Sequence, residues 1–493
     1  MKRSIFIRLS ALLMSMLLIC VMAGCTSGRT MNTGSDIGNS SDDDWDSYFG
    51  NGSTVINGDP NANSGGNVGN NNNNNNPNKK PSGSNVLAGN TDNVISSDEF
   101  PWPDLKFKSK KVRMLAINGK DGSWPIYCQI LKEQYGLEVE WSSADFHGLE
   151  SKLLQMHAAG NAPDVCWYKW GSHNYFSMAL KGMLRDVSEY VDLNNKKLWG
   201  DLTSAYKQTK YNNKNYFLIT EVPKGPYLVY NKKLFREAGV EDLYDTYKSN
   251  FSAWDWNKLQ EVGLKLTDKA TGVKGLAADD CIAFFHTTGQ RFGEFGTTRA
   301  TTKSNMKNQA FARAAEFITK GRTDGWIDTS VQQNAALFGN EVVAMTFALT
   351  DINSEWAEIA KRGDLGIMPM PKDPEADKLW NYKNAYGFVL PTNSQDPNAG
   401  LAFALAWRYA TVTDEGLNRV EQSYRDLGMT DLNIKQLLDA DKAGGMLFDI
   451  GVNLGYTNVW NCVLHKHPWS TTFTGETQDV TNTYIDQVFA GVE

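Results

Sequence analysis

Residues Lys111 to Ile117 read KVRMLAI and close on the unbroken apolar run Met114-Leu115-Ala116-Ile117, which Asn118-Gly119 stops. So short a run suits a strand buried in a parallel sheet. Pro125 to Tyr135 reads as a helix, and Leu137 to Trp141 (LEVEW) alternates as a strand does. From Gly148 to Ala159, Leu149, Leu153 and Met156 fall on one helical face, and Gly160 is a natural stop. Pro163-Asp164 then breaks the chain, and Val165-Cys166-Trp167-Tyr168 reads as the next strand. The order β-α-β-α-β predicts a parallel sheet covered by helices.

The same logic continues downstream. Tyr216 to Thr220 and Tyr227 to Tyr230 look extended, and Lys232 to Ala238 is a short helix stopped by Gly239. Phe311, Ala314, Ala315 and Ile318 share a face of a helix over 311–320, with Gly321 as its expected cap. Val342 to Ala348 and Leu365 to Met368 read as strands, the second ended by Pro369 and Pro371, and Ala399 to Tyr409 as a helix. No repeat of 20–50 residues stands out. An α/β chain of about 390 ordered residues exceeds one comfortable core, so two lobes are expected.

The N-terminus departs from this pattern. Lys2, Arg3 and Arg8 precede an apolar run from Leu9 to Ala23, too short for a comfortable membrane span. It ends in Met22-Ala23-Gly24-Cys25, which resembles a bacterial lipobox, with Met22 where Leu is usual. The expectation is a signal peptide over 1–24 and a diacylglyceryl group on Cys25. An ordinary secretory signal cut nearby, or an uncleaved anchor, is the alternative. Residues 26–97 hold 18 Asn, 11 Gly and 11 Ser, too polar to offset the entropy of ordering, so 25–97 reads as a lipidated Cys and a disordered tether.

Charge narrows the function classes. Lys+Arg number 49 and Asp+Glu 56, for a net −7, and no basic stripe is visible, which argues against gripping nucleic acid. No apolar run after residue 24 approaches the length of a membrane span, which excludes a polytopic membrane protein. Of six Cys, Cys128, Cys166, Cys281 and Cys462 remain outside the leader and the lipid site; none forms C-x-x-C, and their pairing stays open. G-x-S-x-G, G-x-x-x-x-G-K-[ST], H-E-x-x-H and G-x-G-x-x-G are absent. Ser204-x-x-Lys207 lacks its partner motifs, Asp192-Leu-Asn194 does not continue as a calcium loop, and His465-x-His467 alone does not make a metal site. No metal or cofactor is expected. No local context nominates a carboxylate pair for glycoside cleavage.

Aromatic residues are the positive signal. Trp167, Tyr168, Trp170, His173, Tyr175 and Phe176 cluster at and just after a predicted strand. In an open α/β sheet, ligands bind beyond the carboxyl ends of strands. Flat rings with polar neighbours suit sugars, whose C–H faces are apolar and whose edges are hydroxyls. The competing reading places these rings in the core. Successive strand residues point to opposite faces, so Trp167 and Tyr168 cannot both face a ligand.

The ordered landmarks carry a resemblance. Asn118-Gly119, GLEVEW, KLLQMHAAGNAPDV over 152–165, Ala179-Leu-Lys-Gly-Met-Leu-Arg-Asp186, Asn213 to Phe217, Tyr230-Asn231-Lys232, Leu234-Phe235-Arg-Glu-Ala-Gly239, Ala344-Met345-Thr346 and Gly366-Ile-Met-Pro-Met-Pro371 occur in series. Over residues 108–493 the chain resembles the family-1, maltose-binding-like extracellular solute-binding proteins of ABC importers. The resemblance implies a class II periplasmic-binding-protein-like α/β fold. Each of its two lobes is a mostly parallel sheet flanked by helices, with a ligand cleft between them. Lobe 1 is placed at 98–223 plus 344–372 and lobe 2 at 224–343 plus 384–493. Crossings are placed near Val222–Pro226, before Ala344, and between Pro371 and Gly387. The ligand candidates it implies are Asp121 and Trp124 after the first strand, Trp167, Tyr168 and Trp170, Lys224 at the hinge, Asp280 and Phe285, Asp351, Tyr386 and Trp460. Asp351 stands where the family often has Trp, and Lys224 where maltose binders carry an acid. The implied protein is not an enzyme. It is a monomer on the extracellular face of the bacterial membrane, lipid-anchored, with a sugar or oligosaccharide ligand and ABC permease subunits as partners. A secreted lipoprotein glycosidase, or a ligand-sensing module for a membrane signalling partner, is the alternative.

Overall fold

The computed structural model describes residues 86–91, 93–117, 124–145, 148–169, 175–278, 281–294, 296, 298–328, 334–348, 356–383 and 385–449, together with 459, 469, 482, 483, 485, 486, 488 and 489. Among them run thirteen strands. They are β1 (Lys111–Ile117), β2 (Glu138–Ala144), β3 (Val165–Lys169), β4 (Leu218–Ile219), β5 (Tyr227–Asn231), β6 (Lys274–Ala277), β7 (Gly293–Glu294), β8 (Lys303–Ser304), β9 (Val343–Ala348), β10 (Leu365–Pro369), β11 (Trp380–Tyr382), β12 (Tyr386–Val389) and β13 (Gly445–Leu447).

Two sheets carry the fold. The first has the order β2-β1-β3-β12-β4 and the second β10-β5-β9-β6. In the first, β1 runs parallel to β2 and β3, while β12 is antiparallel to β3 and β4. In the second, β6 and β9 are parallel, and β5 is antiparallel to both β9 and β10. The apolar run in β1 is buried as its composition demands, with Met114, Leu115 and Ala116 at 0% exposure. Asp164, where the chain breaks before β3, accepts from the Arg113 amide at 2.9 Å, from its guanidinium at 2.8 Å and from the Asp396 amide at 3.0 Å. The break thus sets β3 beside β1.

Helices cover both sheets. Pro397–Val412 opens on an Asp396 cap with Pro at the first turn and is apolar nearly all round, so it is buried nearly all round. The one cation inside it, Arg408, donates to Leu198 O at 2.6 Å and to Asp201 at 2.5 Å. One core forms around the first sheet and this helix, and two clusters pack on the second sheet.

Pairing corrects four expectations. Val343–Ala348 and Leu365–Pro369 belong to the second sheet, not with lobe 1, whereas Tyr386–Val389 and the Pro397–Val412 helix complete the first. The crossing expected before Ala344 is absent, because β9 pairs with β5 and β6 within one sheet. The chain passes between sheets at 220–226 and 370–385. It returns through the Asp414–Asp426 and Asp431–Lys442 helices, the second of which packs on β10. Gly321 is no cap: the helix runs Gln309–Asp324 and ends on Gly325, with φ 84. A Cβ on Gly321 would sit 2.5 Å from Ile327 Cδ1, so the missing side chain admits Trp326 and Ile327. Lastly, residues 86–97, expected to be part of the tether, are packed against the fold. Leu87 and Ile95 are each 5% exposed. The rest of the tether expected over 26–97, up to residue 85, lies outside the described residues, as do the leader and Cys25.

Candidate functional site

Topology puts the working edges of both sheets together. After β1 the chain adds β2 on one side and then β3 on the other, so a switch point lies at the carboxyl ends of β1 and β3, where open α/β sheets bind ligands. Lys169 at the end of β3 pairs with Tyr386 at the start of β12, and Ile219 at the end of β4 with Gly387. Tyr227 at the start of β5 pairs with Ala348 at the end of β9 and with Pro369 at the end of β10. The crossings 220–226 and 370–385 therefore leave and enter at the carboxyl edge of β3 in one sheet and of β6 and β9 in the other. The two crossings thus link the carboxyl edge of the first sheet to that of the second.

A row of aromatic rings leads to that edge. Trp407 and Phe403, from the Pro397–Val412 helix, pack against Trp124, with centroids 5.2 and 6.2 Å away. Trp124 lies 5.9 Å from Trp167, and Trp167 stacks on Tyr386 at 5.4 Å with planes 15° apart. Trp167 and Tyr386 share a face because β3 and β12 pair two positions apart, Lys169 with Tyr386 and Trp167 with Phe388. Trp167 is half-buried, while Trp124 and Tyr386 are each 8% exposed. Trp124 also touches Trp141, so it is chiefly a core ring that supports Trp167.

Of the residues expected at the site, Tyr168 and Phe285 have no accessible surface. Tyr168 points to the opposite face of β3 with 0% exposure, and its hydroxyl meets Met178 Sδ at 3.2 Å. Burial pushes its phenol well above the usual range. Phe285 is likewise at 0%, packed on Phe292, Phe311 and Trp469. Neither ring presents a face to a ligand here, a correction for both. Lys224 sits in the first crossing and pairs with the buried carboxylate of Glu221 at 3.1 Å. Asp121, Trp170, Asp280, Asp351 and Trp460 lie outside the described residues. In the chain, Asp121 follows β1, Trp170 follows β3, Asp280 follows β6 and Asp351 follows β9.

The crossings hold polar groups that the sequence did not single out. Asp441 accepts from the Gly225 amide at 2.9 Å, the Tyr227 hydroxyl at 2.8 Å and Lys383 Nζ at 3.3 Å. Lys383 is 1% exposed and also donates to Asp441 O at 2.8 Å. Burial pushes its ammonium down, and the Asp441 charge opposes that shift. A Cβ on Gly225 would fall 2.9 Å from Asn381 Nδ2, so the two crossings approach closely here. One further pair went unnoticed. His286 and Asp449, both at 0% exposure, meet at 2.8 Å, and the other ring nitrogen of His286 lies 2.9 Å from Ile282 O. Asp449 also accepts from the Phe292 amide at 2.6 Å, so the pair fastens the chain after β13 to the second sheet's helices. Both ring nitrogens are engaged, and the imidazole acts as a brace.

Cys128 and Cys166 are free thiols. Burial pushes Cys128 up to about 11, away from thiolate reactivity. Among the described residues no group of three His, Cys, Asp or Glu is placed to hold a metal ion, and no helix is long and apolar enough to cross a membrane.

Comparison with known proteins places this architecture. Residues 127–410 match the family model for bacterial extracellular solute-binding proteins. No curated protein matches. Among solved structures, the ABC substrate-binding protein Lmo0181 from Listeria monocytogenes, in complex with cycloalternan, is 17% identical with a TM-score of 0.58, over 77% of this chain and 98% of that one. A solute-binding protein from Thermotoga lettingae bound with alpha-D-tagatose is 17% identical with a TM-score of 0.56, over 78% and 100%. UgpB from Mycobacterium tuberculosis, in complex with glycerophosphocholine, is 17% identical with a TM-score of 0.57, over 77% and 99%. The chain belongs to the bacterial extracellular solute-binding protein family, and its fold is the two-lobed α/β fold of ABC substrate-binding proteins.

Proposed function

We propose that this protein captures a sugar or oligosaccharide between its lobes and delivers it to the transmembrane subunits of an ABC importer, without catalysis. The observation that carries the reading is the aromatic row ending at Trp167 on the carboxyl edge of the first sheet, beside both crossings. A half-buried indole backed by Tyr386 and Trp124 offers a rigid apolar face for a pyranose ring. Asp121, Asp280 and Asp351 follow carboxyl ends of strands in both sheets and would accept from hydroxyls, with Trp170 and Trp460 as further rings. Closure would desolvate those hydrogen bonds and strengthen them. Cycloalternan and alpha-D-tagatose, the ligands of two structural neighbours, are carbohydrates, which favours this ligand class.

The protein works as a monomer on the outer face of the membrane. A diacylglyceryl group on Cys25 holds it there, and the Asn-rich segment serves as its tether.

Thermal melting of the full chain across a panel of mono- and oligosaccharides tests the ligand class. A ligand at 100 times its Kd should add about 2.7 kcal/mol of stability. A panel with no shift overturns the sugar assignment. Cys25→Ala should release the protein from membranes, and wild-type fractionation of that variant overturns the anchor.

A further inference from the structure

We propose that residues 86–100 form a strap across the hinge that limits how far the two lobes separate. The segment lies upstream of β1 and is clamped at both ends, to different lobes. At its start, Leu87 is buried in the cluster of the second sheet with Tyr227, Val229, Ile434 and Leu437. Its amide donates to Glu421 Oε2 at 2.7 Å, and Arg425 holds the other oxygen of that carboxylate at 2.5 Å. At its end, Ile95 and Phe100 are buried in the core of the first sheet. Ile95 donates to Val412 O at 2.9 Å and accepts from the Asp414 amide at 3.1 Å. Ser97 donates twice to Asp414 Oδ1, at 2.9 and 2.6 Å, and Glu99 pairs with Lys197 at 2.5 Å. Asn93, at φ 67, turns the chain between the clamps and donates to Lys197 O at 2.8 Å.

The strap runs beside the third passage between the lobes. The Pro397–Val412 helix belongs to the first core, the Asp431–Lys442 helix packs on β10 of the second sheet, and the Asp414–Asp426 helix joins them. The strap crosses that joint from Leu87 to Ile95. Eight residues reach at most about 26–29 Å when fully extended, and part of this stretch is helical and shorter. A link of fixed length between two bodies sets a ceiling on their separation. It therefore biases the balance of open and closed forms without touching the ligand. A tenfold change in the population of the binding-competent form would change apparent Kd tenfold.

This rests on the reading of the lobes as bodies that close, and not on the identity of the ligand. The test measures the ligand-free full chain. Keto-bearing amino acids replace the exposed Lys152, in the first lobe, and Lys269, in the second, and carry spin labels, so the native cysteines stay untouched. Double electron–electron resonance then gives the distance distribution between lobes. Two glycines inserted after Thr91 lengthen the strap and leave both clamps in place. The expected result is a broader or longer distribution at a melting temperature close to that of wild type. Leu87→Ala, which loosens one clamp, should shift the distribution the same way. Leu264→Ala, at an exposed position away from the strap, should leave it unchanged. Distributions that superimpose on wild type for both strap variants, whatever their melting temperatures, overturn the proposal. A sugar panel without a hit would leave this measurement untouched, so the two readings fail separately.

Discussion

Trp167→Ala and Tyr168→Ala remove neighbouring rings on opposite faces of one strand, and the two variants should fail in different ways. Trp167 stacks on Tyr386 at 5.4 Å and leans on Trp124 at 5.9 Å, and the residue is half-buried near the sheet's carboxyl edge. Two aromatic contacts at about 0.5–1.5 kcal/mol each put its stability cost near 1–3 kcal/mol. A ligand ring stacked on Trp167 would lose about 1–3 kcal/mol of burial, or about 5–150-fold in Kd. Tyr168 has no accessible surface, so its truncation leaves a cavity and should cost about 3–5 kcal/mol of stability. Its surviving folded molecules should bind within about twofold of wild type, since no contact with ligand is lost. The assay is calorimetric titration with the carbohydrate that gives the largest thermal shift, beside a melt of each variant. Tyr168→Ala weakening that binding tenfold while Trp167→Ala binds like wild type would place the ligand on the other face of β3 and refute the assignment.

A chain beginning at Ser97 loses the burial of Leu87 and Ile95 and should be destabilised by about 3–6 kcal/mol as an upper estimate, whereas one beginning at residue 85 should melt like the full chain; denaturant titration distinguishes them. Gly321→Ala drives a methyl against Ile327 and Trp326 and should cost about 1–3 kcal/mol in the same experiment. Burial alone would raise the Asp242 carboxyl, but the Tyr230 hydroxyl at 2.7 Å and Lys232 at 3.2 Å outweigh it and hold the group below its ordinary 3.8. Its contribution is therefore complete above about pH 4 and is lost as pH falls through the lower folded value, so acid unfolding of Asp242→Asn should show a shallower pH dependence than wild type over that window.

Local pattern carried the strands well and long-range partnership poorly. KVRMLAI and the Pro-Asp entry to Val165 announce β1 and β3 because burial on both faces leaves an apolar run that needs no context. Nothing local tells Val343–Ala348 from Tyr386–Val389 by sheet, since both are short apolar strands and membership depends on pairing with distant segments. Parity shows that only one of Trp167 and Tyr168 can face the cleft, but not which one. That choice needs Met178 beneath Tyr168 and Tyr386 beside Trp167. His286 and Asp449 are ordinary residues in sequence, 163 positions apart, and only folding makes them a pair. The strap escaped because Asn, Gly and Ser dominate the average around it, while Val86-Leu87-Ala88 and Val94-Ile95 are short apolar stretches whose hydrogen-bond partners, Glu421 and Val412, lie more than 300 positions downstream.

The place of β12 between β3 and β4 governs when the first lobe can fold. Tyr386 pairs with Lys169, about 217 residues earlier, and among the described residues β12 is what bridges β3 and β4 within that sheet. At about 5–20 residues per second, ribosomes need roughly 10–40 s to make the intervening chain. During that interval β3 lacks its partner β12 and the first sheet stays incomplete. A chain read as crossing the membrane before it works must pass unfolded, and contacts of such long sequence separation form slowly. The late central strand would keep the growing polypeptide fit for translocation until Tyr386–Val389 has been synthesised.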